Sequence, residues 1–454
     1  MTSSTTTLGP AQSTAAAAAA GARRSNARWT VLAVLFFITV INYADRATIS
    51  LAGPSITKDL GLSPVAMGYV FSAFGWAYVA AQLPGGWLLD KFGSKRVYAW
   101  SIGLWSAFTL MQGAVGFLTG LTAIVVLFAL RFIVGAAEAP SFPANSRIVA
   151  AWFPSNERGT ASAIFNSAQY AAQVFFGPIM GWVVHTFGWH HVFTLMGVLG
   201  LCFVLVWNRF VHDPKKHPRA NAEEIAYIEA GGALTNMDNA ASADASQPKL
   251  HYIKQLLSHR MMLGIYIGQY CINALTYFFI TWFPVYLVQQ RHMSILKAGL
   301  VASIPAICGF LGGVLGGFFS DWLIKRGHSL TLARKLPIVL GMTLSMVMVA
   351  CNYTDSQVLV ITLMALAFFG KGLGSLGWAV NSDTAPRKIA GLSGGLLNTC
   401  GNLSSITTPI AIGYILQATG SFNGALVYVG AHALVAALCF LVVVQKIHRV
   451  ELKD

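Results

Sequence analysis

Five ionisable residues lie inside long apolar segments of this chain, where charged side chains are rare: Asp45, Arg46, Arg131, Glu138 and Lys371. Placing such a residue in the core of a bilayer costs about 3 kcal/mol on insertion scales. The surrounding segments would therefore enter a membrane more easily without these charges. Charges kept at this cost are typical of proton relays and of sites that bind charged solutes.

The two buried carboxyl groups could exchange protons. Arg131 and Glu138 are seven residues apart, so two helical turns return them to one face, roughly 10 Å apart along the axis. Burial disfavours an ionised carboxyl group and a nearby cation favours it. A carboxyl group beside a movable arginine can therefore gain and lose a proton. We predict proton coupling by Asp45 and Glu138 with Arg131; the alternative is a static buried ion pair.

Lys371 is a cation without an acid on its own helix face. It lies between two glycines, which are expected to expose it, and no Asp or Glu occurs three or four positions away. An ammonium group without a local partner could receive an anionic substrate. The alternative is a pair with Asp45 or Glu138 on another helix.

Uncharged polar residues accompany these charges in the apolar segments. Amides and hydroxyls next to an aromatic ring face are the groups that recognise a polyol. Each of them could equally make a structural hydrogen bond between helices. The candidates for substrate binding are Tyr43, Tyr78, Gln169, Asn273, Tyr277, Ser375, Trp378 and Asn398.

The elements that position these residues are predicted to be membrane-spanning helices. The chain has 454 residues, of which 55% are hydrophobic and only 10% are charged. Apolar runs near 20 residues are the length that crosses a bilayer as a helix. Twelve such runs lie near 29–53, 65–89, 97–118, 121–145, 160–185, 190–211, 261–288, 297–320, 336–354, 357–382, 389–416 and 421–445.

An internal repeat divides the twelve segments into two halves. The segment 85–90 recurs at 316–321, and the Gly159, Asn166 and Gly181 pattern recurs 232 positions later. Two matches at nearly one offset indicate two six-helix halves in parallel orientation, with the substrate site at their interface. We predict a disordered cytoplasmic N-terminus (1–28), a first half (29–211), a cytoplasmic linker (212–260), a second half (261–445) and a cytoplasmic tail (446–454).

The formal net charge of +14 indicates topology rather than nucleic-acid binding, because the basic residues lie between apolar runs and form no patch with aromatic residues. If both termini are cytoplasmic, 24 of the 30 Lys and Arg residues fall in cytoplasmic segments and three in outer loops. This bias predicts that both termini lie inside the cell. The six cysteines lie inside apolar runs without metal-ligand spacing, so we expect buried thiols and no metal site.

The loop between the second and third segments carries the pattern Gly-x-x-x-Asp-basic-x-Gly-x-basic-basic at 86–96. Its Asp90, Lys91 and Arg96 are predicted to form a conformational latch, with Asp90 capping a helix and pairing with a base in the other half. The repeat of this pattern in the second half keeps Asp321 but lacks one base and one glycine. The alternative for both loops is a plain charged turn.

The pattern at 86–96 resembles the signature loop of the major facilitator superfamily. The segments NYADRA at 42–47, GYVFSAF at 68–74 and EAPSFP at 138–143 resemble its anion:cation symporter family. The segments 269–277, 370–372 and 382–386 are most similar to bacterial glucarate and galactarate permeases, and next to galactonate permeases. The resemblance covers roughly residues 28–450.

The resemblance implies proton-driven uptake by alternating access across the bacterial inner membrane. It implies protonation at Asp45 and Glu138, with Arg131 in the same network, and a substrate carboxylate at Arg46. It places Gln169, Ser375, Trp378 and Asn398 at the sugar-acid site. The galactonate type lacks the lysine at 371, whose role follows from charge alone: a dicarboxylate needs a second cation besides Arg46.

We therefore expect an all-α membrane protein, monomeric, that imports an aldarate anion with protons and uses no other cofactor. The alternatives are a monocarboxylate sugar-acid symporter, an organic-anion exchanger and a transporter-like sensor. A sensor would not need two titrating carboxyl groups and usually carries an output domain larger than this linker or tail. An enzyme is not expected, because no nucleophile–base pair, metal cluster or phosphate-binding loop occurs.

Overall fold

The computed structural model describes residues 24–235, 250–386 and 389–451, which form helices and connecting turns without strands. Backbone hydrogen bonds must be satisfied within each apolar segment, and helices achieve this. The first half contains α1 (Ala27–Leu60), α2 (Pro64–Phe92), α3 (Ser94–Gln112), α4 (Gly120–Glu138), α5 (Ser141–Trp152), α6 (Arg158–Phe187) and α7 (Trp189–Phe210).

Two short helices, α8 (Ala222–Ala230) and α9 (Leu250–Ser258), lie between the halves. The second half contains α10 (Arg260–Tyr277), α11 (Phe283–Gln289), α12 (Ile295–Lys325), α13 (Leu330–Ser345), α14 (Gln357–Leu373), α15 (Gly377–Thr384), α16 (Ala390–Asn402), α17 (Ser404–Thr419) and α18 (Asn423–Leu438). The predicted all-α fold is confirmed. Residues 1–23 of the segment predicted to be disordered (1–28) lie outside the described residues. The rest of that segment is described, and α1 begins within it at Ala27.

Helix occupies each of the twelve predicted apolar segments. Nine helical stretches of the described chain are long and apolar enough to cross a membrane. The other three segments, which carry more polar residues, contain α3, α6, and α16 with α17. Several of the spans are interrupted. For example, α4 and α5 meet at Pro140, a π-helical turn, Phe278–Trp282, joins α10 to α11, and a break at 374–376 separates α14 from α15.

The two halves pack against each other at the ends predicted to face outwards. A Cβ atom on Gly181 of α6 would lie 3.1 Å from the carbonyl oxygen of Ile295, and one on Gly413 of α17 would lie 2.7 Å from that of Pro64. Within the described ranges, the hydrogen bonds that join the halves lie in the outer and central parts of the bundle. With the predicted orientation, this is an inward-facing arrangement.

The polar stretch between the halves is partly folded onto the first half. Glu224 of α8 is fully buried and accepts hydrogen bonds from Ser25 Oγ (2.5 Å) and from the backbone N–H groups of Ala27 (3.0 Å) and Arg28 (3.2 Å). Its other partner is the guanidinium of Arg28, at 3.1 Å. A carboxylate in this position caps the N-terminus of α1 and complements its dipole.

This cap gives a prediction about stability. Glu224→Ala removes the acceptor of several hydrogen bonds in a buried position, so we expect a loss of about 1–3 kcal/mol and a lower Tm for the purified protein. The matched control is Glu223→Ala, which removes the neighbouring, half-buried acid of α8. Equal melting temperatures for the two variants, measured by intrinsic fluorescence in detergent, would contradict the capping role.

Candidate functional site

A buried ion pair lies at the centre of the first half. Arg46 of α1 donates through Nε to Glu138 Oε2 at 2.9 Å, and the Glu138 side chain has no exposed surface. Three aromatic rings surround the guanidinium: its carbon lies 4.9 Å from the ring centre of Tyr43, 4.6 Å from Phe74 and 4.7 Å from Tyr78. The rings exclude water and contribute cation–π attraction, so this pair is in a medium of low dielectric constant.

A second acid and a second arginine lie beside this pair. Asp45 Oδ2 accepts a hydrogen bond from Thr109 Oγ1 at 2.6 Å. Arg131, which is 2% exposed, interacts electrostatically with both Asp45 and Glu138. The four charged groups form one cluster, defined here as the acid–arginine cluster: Asp45, Arg46, Arg131 and Glu138.

The hydrogen-bonded partner of Glu138 lies on another helix. Sequence spacing placed Arg131 on the same helix face as Glu138, whereas the cation that contacts Glu138 directly is Arg46 on α1. Seven residues of helix separate Arg131 and Glu138 by roughly 10 Å along the axis, which is too far for direct contact. Helix packing instead brings α1 against α4, and the Arg46 side chain reaches across.

Close packing of α2 against α4 positions the aromatic side of the cluster. A Cβ atom on Gly135 would lie only 2.3 Å from the carbonyl oxygen of Phe74, so this position requires glycine. The resulting approach holds the Phe74 ring 4.6 Å from the guanidinium carbon of Arg46 and 5.5 Å from that of Arg131. The Phe74 ring therefore contacts both arginines.

A chain of polar side chains continues from the cluster into the second half. Tyr277 of α10 lies within electrostatic range of Arg46, and its hydroxyl donates to Asn402 Oδ1 at 2.7 Å. Asn402 Nδ2 in turn donates to Asn398 Oδ1 at 3.0 Å. The structure therefore brings Tyr277 and Asn398 together as predicted candidates, with Asn402 as the link between them.

A second amide pair lies on α10. Gln269 Nε2 donates to Asn273 Oδ1 at 3.1 Å. The backbone of α15 and α16 approaches these amides closely, since a Cβ atom on Gly377 would lie 1.9 Å from Gln269 Oε1 and one on Gly401 2.7 Å from Asn273 Nδ2. Glycine at both positions makes room for the amides. Gln269 was not among the predicted site residues, although its one-turn spacing from Asn273 was a usable signal.

Lys371 of α14 is buried in the second half and is 5% exposed. The adjacent glycines do not expose it, contrary to expectation, because they serve helix packing: a Cβ atom on Gly370 would lie 2.4 Å from Gly341 O, and one on Gly372 2.1 Å from Gly309 O. The Lys371 ammonium lies 5.9 Å from the ring centre of Tyr170. Among the ion pairs of the described residues, none includes Lys371, so a pair with Asp45 or Glu138 is not formed in this state.

The remaining predicted substrate residues have other or weaker contacts. Ser375, which lies in the break between α14 and α15, donates through Oγ to the backbone carbonyl of Lys371 at 2.8 Å, which is a local bond. Trp378 is 47% exposed and Gln169 is half-buried on α6. Their role in substrate binding stays a prediction.

The predicted latch residues pair within their own halves. Asp90 accepts a hydrogen bond from Arg147 of α5, not from a base in the other half as expected. Asp321 pairs with Arg334 at 3.6 Å, also within one half. Lys91 lies over the Trp87 ring at 4.8 Å and Arg96 is exposed. The contact between the halves that the latch predicts is therefore not formed by these residues in this arrangement, and the latch stays a prediction.

Comparison with known proteins identifies the family of the chain. The sequence model of the Major Facilitator Superfamily matches residues 35–333. A "Probable galactarate/D-glucarate transporter" of Bacillus subtilis is 64% identical over 95% of both chains, and its counterpart in Escherichia coli K12 is 64% identical over 96% of this chain and 98% of its own. A "D-galactonate transporter" of Escherichia coli O6:H1 is 39% identical over 94% of this chain and 98% of its own.

Solved structures agree on the fold. An inward-facing bacterial homologue of the human lysosomal transporter Spinster superposes with a TM-score of 0.70 at 16% identity, covering 93% of this chain and 97% of that one. The D-xylose-proton symporter gives a TM-score of 0.68 at 15% identity, covering 92% and 98%. The expectation that the chain is not an enzyme is confirmed by its relatives, which are named transporters. The chain belongs to the major facilitator superfamily and is a multi-pass membrane transporter.

Proposed function

We propose that this transporter imports an aldarate dianion, such as D-glucarate or galactarate, together with protons across the bacterial inner membrane, with both termini in the cytoplasm. The substrate class is supported by relatives of 60–64% identity whose names refer to galactarate and D-glucarate. The observation that carries the coupling is the Arg46–Glu138 ion pair, because the buried cation that pairs with this acid also lies within electrostatic range of Tyr277 in the second half.

The proposed coupling follows from competition for Arg46. A substrate carboxylate that binds Arg46 while Glu138 is ionised places two anions against one cation in a medium of low dielectric constant, which is unfavourable. Protonation of Glu138 removes one of these anions and frees the guanidinium. The planar guanidinium can then bind the substrate carboxylate through charge-assisted, bidentate hydrogen bonds. Substrate and proton therefore bind together and stabilise each other.

Asp45 offers a second protonation site in the same cluster. Its Oδ1 is buried and has no hydrogen-bond partner among the described residues, while Arg131 supplies a nearby positive charge. When Arg46 turns towards a substrate, the electrostatic attraction that the arginines exert on Asp45 and on Glu138 changes at the same time. The acid–arginine cluster therefore links substrate binding to the protonation of two carboxyl groups.

The polar chain of the second half is suited to the hydroxyl groups of the substrate. Asn398, Asn402 and Tyr277 offer amide and phenol groups that can donate and accept. Tyr43 and Tyr78 offer ring faces next to Arg46. A substrate held between these groups contacts both halves, which favours the state closed around it.

The second candidate is a monocarboxylate symporter of the galactonate type, favoured by the 39% identical relative with that name. Exchange of one organic anion for another is a variant of either scheme. Uptake into proteoliposomes separates them: an imposed inward proton gradient should drive accumulation of labelled D-glucarate or galactarate above the outside concentration. Accumulation of aldonates alone would favour the second candidate, and uptake only against a preloaded anion would favour exchange.

Glu138→Gln tests the coupling. The amide keeps the shape of the side chain but cannot bind and release a proton, so the variant should lose uphill uptake while it retains substrate binding and exchange. Proteoliposome uptake with and without a pH gradient measures both properties. Asp355→Asn is the control, because its carboxylate is fully exposed in an outer loop. Accumulation against a gradient by Glu138→Gln would refute the proposed coupling.

Arg46→Lys tests the binding of the carboxylate. Lysine keeps the charge but loses the planar, two-pronged donor and its stacking among the rings. We expect about a tenfold or greater loss of affinity for the aldarate, measured by isothermal titration calorimetry on purified protein. Arg209→Lys, at an exposed position at the end of α7, is the matched control. Near-normal affinity in Arg46→Lys would remove Arg46 from the binding site.

A further inference from the structure

The charges inside the described membrane helices do not balance. In the acid–arginine cluster, Asp45 and Glu138 are matched by Arg46 and Arg131, so the cluster as a whole can be neutral. Lys371 lies outside this cluster, on α14, and no charged group interacts with it among the described residues. Its ammonium group is therefore a positive charge for which the described residues supply no counter-charge.

The ammonium of Lys371 lies near two aromatic rings, one of which carries a hydroxyl group. Its ammonium lies 5.3 Å from the ring centre of Phe368 and 5.9 Å from that of Tyr170. Tyr170 belongs to α6 of the first half, and its ring also contacts Phe310 and Phe368 of the second half. Its hydroxyl makes no hydrogen bond with the described residues. An ammonium and a hydroxyl therefore lie together without partners at the seam between the halves.

We propose that Lys371 and Tyr170 form a second carboxylate subsite, which makes this transporter selective for dicarboxylates over monocarboxylates of the same length. The proposal rests on the proposed function, in which Arg46 holds the first carboxylate. An ammonium and a phenol hydroxyl are both donors to a carboxylate, and the ammonium supplies the opposite charge. A substrate carboxylate at this subsite would give Lys371 the counter-charge that the described part of the chain does not supply.

The two subsites are connected by a row of side chains. The guanidinium of Arg46 lies over the Tyr43 ring at 4.9 Å, and Tyr43 and Tyr170 interact electrostatically. The row therefore runs from Arg46 through Tyr43 and Tyr170 to Lys371. The terminal carboxylates of an extended six-carbon chain are roughly 6–8 Å apart, from standard bond lengths. A dicarboxylate presents a carboxylate to a cation at each end of this row, whereas an aldonate presents only a hydroxymethyl group to the second.

The alternative is that Lys371 only packs against aromatic rings. Cation–π attraction is worth about 0.5–2 kcal/mol, which is less than the roughly 3 kcal/mol that insertion scales assign to a lysine in the bilayer core. The rings therefore do not offset the charge alone. A purely structural lysine would affect all substrates alike, and this difference distinguishes the two interpretations.

The test compares D-glucarate with D-gluconate, which has the same carbon chain but one carboxylate. Binding of each to purified, full-length protein is measured by isothermal titration calorimetry for the wild type, Lys371→Met, Lys371→Arg and Tyr170→Phe. We expect Lys371→Met to lose about tenfold or more in affinity for glucarate and less than about twofold for gluconate. Lys371→Arg should retain most of the preference, and Tyr170→Phe should reduce it in part.

Equal losses for both ligands in Lys371→Met, or no loss for either, would overturn the second subsite. Should the methionine variant not fold, Lys371→Gln and Tyr170→Phe are judged by the same comparison. A wild-type protein that binds gluconate but not glucarate would overturn the proposed aldarate function and the subsite with it. A wild type that binds glucarate, combined with equal losses in the variants, would overturn the subsite alone.

Discussion

The buried ion pair between Arg46 and Glu138 constrains how charge can change inside the membrane. An unpaired charge in the bilayer is costly, so neither side chain can be left there without a partner. The uncharged protein backbone cannot supply the opposite charge. Each must therefore keep a partner of opposite charge or change its protonation. In the proposed mechanism, a substrate anion binds Arg46 only when Glu138 is neutralised, so the energetic penalty that holds the pair together also links the proton to the substrate.

Helix packing encloses this pair among aromatic rings. Gly135 lets α2 approach α4 so closely that the Phe74 ring lies against Arg46. In the second half, Gly370 and Gly372 let α13 and α12 approach α14 on both sides of Lys371. In both halves, glycines in contact with a neighbouring backbone exclude water and lower the dielectric constant around a cation. The strength of the charge interactions therefore depends on small residues that carry no charge.

The sequence predicted the helices, the two halves and the buried charges, because each follows from local composition and from the internal repeat. It did not predict the partner of Glu138, since Arg131 shares its helix while Arg46 reaches it only through the packing of α1 on α4. The same limit applies to Asp90, which pairs with Arg147 in its own half. Tyr170 gave no signal in the sequence, because its position beside Lys371 arises from contact between α6 and α14.

In this state, closed at the end predicted to face outwards, an aromatic side chain of each half lies close to a cation of the other half. Tyr277 brings the polar chain of the second half within range of Arg46, and Tyr170 brings the first half to Lys371. A ligand that binds only one half would stabilise open and closed states alike and could not drive the change between them. In the proposed mechanism, a ligand that neutralises cations on both halves stabilises the state closed around it selectively. Under that proposal, charge compensation and conformational change are one process, carried by the same few side chains.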